Sequence, residues 1–301
     1  MPRRQPEKLL LNGTGGVMST SSAVPVRTRR VASRLRDLRR RSGLSAPEVS
    51  RSLGISMSKI SRMESGQRGL NADDVAAMLG LYRVPSRERE EVLTLVRNGA
   101  SPNWWTMPSG SLEKYWDDFR SFEAEATTLR SYETMLFPGL LQTPGYVIAI
   151  AHALAPHGIE GDLDKLLAQR TARQTQLHSE RTFEFLIEQS VLEREAGTAE
   201  TMHRQLERVS VVATRPNVSV QIVPHSAGAH VGLDGPFLYL EFTEHADLVL
   251  GEAIGCASYI EEKQIVAERR EALGMLRKIA LPPDESLRLI DRKSDEWRRR
   301  S

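Results

Sequence analysis

Hydrophobic residues begin to recur with a helical period near Arg29. Val31, Leu35 and Leu38 fall at i, i+4 and i+7 with arginines between them, which predicts an amphipathic helix. Ser45 then offers an N-cap, with Glu48 three residues on and Pro47 in the first turn. Val49 and Leu53 face inward and Gly54 ends this second helix. Ser56 caps a third helix that runs to about Glu64 and stops at Ser65-Gly66. Asn71 caps a fourth, carrying Val75, Ala76, Met78 and Leu79. Ser86 caps a fifth, with Val92, Leu93 and Val96 inward and Gly99 at its end. The pattern predicts a compact all-α five-helix domain over residues 29–99. Residues 1–28 carry no period and are rich in Pro, Gly, Ser and Thr, so they are expected to be a disordered tail, with Met18 read as the true start.

Residues 100–111, which include Trp104 and Trp105, read as a linker or a packed crossover. A second pattern follows. Helices are predicted from Leu112 to about Leu129, from Pro144 to about Leu154, from Leu163 to about His178 and from Ala199 to about Ala213. The stretches "RTFEFLIEQS", "VSVQIVP", "PFLYLEF" and "ADLVLGEA" are β-rich, and a helix from about Glu261 to Leu281 closes the unit. Helices followed by strands argue a larger α+β domain over residues 112–282, with a frayed tail at 283–301.

Charge changes this picture. Residues 1–99 hold 19 Lys plus Arg against 9 Asp plus Glu, whereas residues 100–301 hold 22 against 30. A basic first half ahead of an acidic second half points to a polyanion partner for the first, or to solvated basic faces. There is no run of eighteen apolar residues, no convincing signal peptide and a single cysteine, Cys256, so a cytoplasmic protein without a membrane span is expected.

The third helix lies within "LGISMSKISRMESGQRG". At about 100° per residue, Met57, Ser61, Ser58 and Arg62 fall within an arc of roughly 140°. Ile60 and Met63 lie opposite, and Lys59 sits at the boundary. The apolar pair anchors the helix. The other face carries short groups and one arginine, which suits close approach to base edges in a major groove. A helix crossing the backbone would precede it, joined by the Gly54-Ile55 turn. Arg39, Arg40 and Arg41 are further phosphate candidates, or a solvated face.

These residues carry a resemblance. "LSAPEVSRSLGISMSKISRMESGQRGLNADDVAAML" resembles the Cro/repressor type of helix-turn-helix, the Xre family, over about residues 31–84. The resemblance implies base reading by Met57, Ser58 and Arg62, with Ser61 on the same face. It implies phosphate contacts from Ser45, Ser56, Lys59, Gln67 and Arg68. Two positions depart from the family pattern: Ala46 stands where a polar residue is common, and Ser50 stands where alanine is usual. Met57 is also unusual for a reader, and is either a thymine-methyl contact or a spacer.

The second domain resembles a C-terminal domain common in actinomycete Xre regulators, the domain of unknown function DUF5753, from about Trp104 to Leu281. "PGLLQT" and "VPHSAGAH" occur in the expected order and spacing. That resemblance implies a regulatory or partner-binding role, often beside a gene for a small protein. No catalytic constellation, cofactor motif or metal-ligand spacing is evident. Glu184 and Glu188 lie on a strand-like segment, the loop holding His225 and His230 is an anion cradle or a plain connection, and Cys256 reads as a buried small hydrophobe. The expectation is a sequence-specific transcription regulator and not an enzyme. It would bind double-stranded operator DNA as a homodimer, while its second domain senses a ligand or binds a small partner protein encoded nearby. The alternative is an antitoxin-like or scaffold protein that only autoregulates.

Overall fold

The computed structural model describes residues 26–66, 70–97, 112–154, 163–243, 245–253 and 256–301. The expected disordered tail therefore lies mostly outside the described residues, as do the 100–111 linker and the readings of Trp104, Trp105 and the Cys256 side chain. Val26 to Thr28, assigned to the tail from sequence, are helical.

Helix α1 (Val26–Arg41) ends in Arg39, Arg40 and Arg41, where cations oppose the negative end of the helix dipole. Helix α2 (Ala46–Leu53) begins where the Glu48 carboxylate accepts from the Ser45 N–H at 2.7 Å and from its hydroxyl at 2.6 Å. Helix α3 (Met57–Ser65) begins where the Ser56 hydroxyl accepts from the Lys59 N–H at 3.2 Å. Helix α4 (Ala72–Leu81) is capped by Asn71, which accepts from the Asp73 and Asp74 N–H groups. Helix α5 (Ser86–Arg97) differs from expectation: Ser86 is already helical, and the Arg89 N–H reaches the Pro85 carbonyl at 2.9 Å.

Gly54 and Gly66 end α2 and α3 at φ 65° and 71°, a region that costs residues with a Cβ. Gly66 has a second reason to lack a side chain, because a Cβ there would come within 3.3 Å of the Arg29 backbone. Val31, Leu35, Val49, Ile60, Val75 and Val92 are all fully buried, so the inward positions of the five segments converge on one core. Each such side chain contributes about 1.5–3 kcal/mol on burial.

The second region is a mixed α/β domain around a six-stranded sheet. Helix α6 (Leu112–Glu125) ends before Leu129, and Thr128–Glu133 form strand β1. Then come α7 (Pro144–Leu154), α8 (Leu163–Gln174), β2 (Thr182–Glu188), the short α9 (Gln189–Glu193), α10 (Ala199–Ala213) and β3 (Val218–Val223). Strands β4 (Phe237–Glu241), β5 (Leu248–Ala253) and β6 (Cys256–Ile260) follow, and α11 (Lys263–Ile279) and α12 (Pro283–Arg298) complete the order. The sheet runs β3-β2-β1-β4-β5-β6. Strands β1, β2 and β3 are parallel, and the β1–β4, β4–β5 and β5–β6 pairs are antiparallel.

Period-two alternation divides the strands between two cores. Phe183, Phe185 and Ile187 of β2 join Phe119, Phe122, Met202 and Leu206 on one face, while Leu186 joins Tyr132, Tyr239 and Leu273 on the other. The "PGLLQT" turn is fixed by amides. The buried Gln205 side chain donates to the Leu141 carbonyl at 2.9 Å and accepts from the Thr143 N–H at 2.7 Å.

Two expectations are corrected. The helix expected to run to about Leu129 stops at Glu125, and strand β1, which was not expected, is central, with its Arg130 bridging Glu184 on β2 and Glu241 on β4. The tail at 283–301 is not frayed. Helix α12 buries Leu289, Ile290 and Trp297, and the Trp297 indole N–H donates to the Leu192 carbonyl at 2.9 Å.

Candidate nucleic-acid interface

Helices α2 and α3 pack together and are joined through Gly54 and Ile55. The Ser50 hydroxyl donates to the Ile55 carbonyl at 2.7 Å. That bond gives the serine at this position a task alanine could not perform, since it ties the inner face of α2 to the turn leading into α3.

Ile60 and Met63 hold α3 from below at 0% and 3% exposure. Glu64, at the end of the helix, is nearly buried and takes a two-pronged ion pair from Arg39, with Nε and Nη2 at 2.7 and 2.8 Å. Arg39 also donates to the Leu44 carbonyl at 3.0 Å, and the Arg36 Nε reaches the Glu64 carbonyl at 3.2 Å. The hydrogen bond to Glu64 raises the pKa of the Arg39 guanidinium further. Arg39, read from sequence as a phosphate candidate or a solvated side chain, is in fact a strut between α1 and α3, while Arg40 and Arg41 are exposed.

The outward face of α3 presents Ser56, Met57, Ser58 and Ser61, all exposed, with Met57 at 45%. Arg62 lies along the same face, half-buried, and its Nε donates to the Ser58 carbonyl one turn back at 3.2 Å. Lys59 is also half-buried, and its amine sits 2.7 Å from the Asp74 carboxylate of α4. Ser45 is exposed at the start of α2, where its hydroxyl and N–H both engage Glu48, and those two bonds hold the Glu48 carboxyl below its ordinary pKa. Gln67 and Arg68 fall outside the described residues. The structure thus brings Ser56, Met57, Ser58, Ser61 and Arg62 onto one surface. It sets Lys59 at that surface's edge beside an acid that sequence reasoning missed.

Glu188 and the two histidines singled out in the second domain lie in carboxylate–histidine contacts. The Glu188 carboxylate accepts from the Tyr132 hydroxyl at 2.7 Å and faces the His230 ring at 3.4 Å, and Glu193 faces the His225 ring at 2.8 Å. The two histidines sit against carboxylates, which pin the "PHSAGAHVGLDGPF" loop to β2 and α9. Gly232 of that loop lies so close to the Tyr132 hydroxyl that an added Cβ would stand 2.2 Å from it. Among the described residues, no group of three His, Cys, Asp or Glu side chains is placed to hold a metal ion. No described helix is long and apolar enough to cross a membrane.

Comparison with known proteins adds to this geometry. Residues 30–92 match the family described as a helix-turn-helix domain. A search of curated proteins gives no match. One solved structure, titled as TrmBL2, an archaeal chromatin protein with a novel mode of DNA binding, aligns over 70% of each chain at 12% identity. Its TM-score of 0.28 is too low for that likeness to carry an argument. Residues 116–292, more than half of the chain, match the domain of unknown function DUF5753. The chain belongs to the DUF5753 family, with a helix-turn-helix domain ahead of the domain that defines it.

Proposed function

We propose that this protein is a sequence-specific, DNA-binding transcriptional regulator of the Xre type. It acts in the cytoplasm as a homodimer on paired half-sites, and its second domain receives a ligand or a small partner protein. The observation that carries the reading is the α3 surface. A helix anchored by Ile60, Met63 and the Arg39–Glu64 pair turns three serines, a methionine and an arginine outward. A surface of that kind fills no core. Short side chains let a helix approach base edges, and arginine pairs with guanine in two places at once. The helix-turn-helix match over residues 30–92 supports DNA as the partner. The carboxylates Glu188 and Glu193 of the second domain are held by Tyr132, His230, His225 and Lys293, which supports a structural part for them.

The test is selection of fragmented host DNA by the purified protein at about physiological salt, where nonspecific binding is weak. Recovery of one palindromic motif is the expected result, with half-site centres about one helical turn apart. Recovery of fragments with no shared sequence would remove the specific-reader proposal.

A further inference from the structure

Arg29 is 4% exposed, and its Nε, Nη1 and Nη2 atoms have no hydrogen-bond partner among the described residues. A buried guanidinium with nothing to donate to is costly and asks for an explanation. Its carbon stands 4.5 Å from the centroid of the Phe242 ring and 5.3 Å from that of Phe122, so its flat faces meet aromatic surface while the N–H edge stays unused. The Arg29 side chain lines a cavity of about 540 Å³ between the two domains, within the range of small-molecule sites, while its three nitrogens are themselves shielded from solvent. Ser33 and Arg36 of α1, Ser65 of α3, Ser121 and Glu125 of α6, and Thr243 after β4 contribute to the walls. Glu125 and Glu261 attract Arg29 only at a distance, and burial lowers its pKa.

We propose that this cavity is an effector site for a small organic oxyanion, a carboxylate or a phosphate ester, carried on a flat apolar body. A rotation of the Arg29 side chain off the two rings turns its shielded fork into the cavity, where it takes the oxyanion in two-pronged fashion, as guanidinium groups do with carboxylate and phosphate. The rings of Phe122 and Phe242 supply the apolar walls, and Arg36 adds a second positive charge. The site joins the two halves of the molecule. Arg29 and Arg36 belong to α1, Arg36 also holds the end of α3, and the Ser33 and Ser121 hydroxyls meet across the boundary at 3.3 Å. A ligand here changes how α1 and α3 sit against α6. Its effect on DNA rests on the function proposed above, but its binding does not.

The experiment measures thermal unfolding of the full chain with benzoate, phenyl phosphate or neutral benzamide at matched ionic strength. At millimolar concentration, benzoate or phenyl phosphate is expected to raise the midpoint by about 2 °C or more, and benzamide to leave it unchanged. Response to benzoate alone marks a carboxylic acid effector, and response to phenyl phosphate alone a phosphoester. Arg29→Met is expected to lose the response while unfolding at or above the wild-type temperature, because an unpaired buried charge is gone. Thr243→Trp, which plugs the rim from an exposed loop position, is expected to lose the response with Arg29 intact. An anion response that survives both substitutions, or none in the wild type up to about 10 mM, overturns the proposal. A null here beside a recovered operator motif removes the effector site alone. A clear anion response without any motif leaves the site standing and removes the DNA reading.

Discussion

Arg62 lies back along its own helix, bonded to the Ser58 carbonyl and, among the described residues, to no acid. It can swing outward at the cost of one exposed hydrogen bond, so Arg62→Ala is expected to cost about 1–3 kcal/mol of operator affinity while leaving scrambled duplex nearly untouched. Competitive titration of the two duplexes measures it. Lys59 is in the opposite state, because Asp74 already holds its amine. Asp74→Asn frees that amine and removes a negative charge at the DNA-facing edge. Affinity for any duplex should rise, and the logarithmic salt slope should steepen by about one unit. In the second domain burial works against ionised Glu193, but hydrogen bonds from His225, Gln189 and Lys293 outweigh it and hold its pKa to about 2. A folded pKa below the unfolded one, about 4.3, gives stability that is complete above the unfolded value and lost as pH falls toward the folded one. Urea midpoints of the wild type should therefore drop between about pH 5 and 2, and those of Glu193→Gln should drop less. The exposure of Met57, Ser58 and Ser61 was legible from helical spacing alone. The Lys59–Asp74 pair was not, because 15 residues and a helix boundary separate its members.

At the scale of elements, legibility depended on what fills the buried stripe. Helices α2, α3 and α4 bury aliphatic side chains at helical spacing behind clear caps, and their sequences read correctly. Helix α12 buries Leu289, Ile290 and Trp297, but Ser286 and Ser294 complete the stripe. The Ser286 hydroxyl donates to the Leu281 carbonyl at 3.1 Å and accepts from the Ile222 N–H of β3 at 2.9 Å, and Ser294 meets His203 of α10. A stripe with serine at two of its five buried positions, among eleven charged neighbours and flanks, looks solvated until the partners are known. Strand β1 hid for the same reason, since its central Arg130 is neutralised by residues 54 and 111 positions away. Trp297→Ala tests the packing of α12. Loss of a large buried side chain with a satisfied indole N–H is expected to cost about 3–5 kcal/mol, read as a lower urea midpoint.

For the whole molecule, the two-part organisation was legible from the shift in period and charge, and the α+β expectation becomes a mixed α/β domain on a six-stranded sheet. What the sequence did not disclose is which described residues meet between the parts, because the boundary is built from one arginine, two phenylalanines and a pair of serines drawn from three segments far apart in the chain. The place of β1 between β2 and β4 also sets an order in time. Residues 128–133 lack both neighbours until Thr182–Glu188 and then Phe237–Glu241 arrive. The helical region closes through shorter loops, and topologies of that kind fold faster than those built on distant strand pairing. On the ribosome, the stretch between α5 and β4 takes on the order of ten seconds to synthesise. Chains arrested shortly after β3 has emerged should show protease-resistant α1–α5 beside a cleavable remainder. On the function proposed above, a newly made molecule would then reach its operator with its reader complete and its second domain unfinished, deaf to any effector for the first moments of its life.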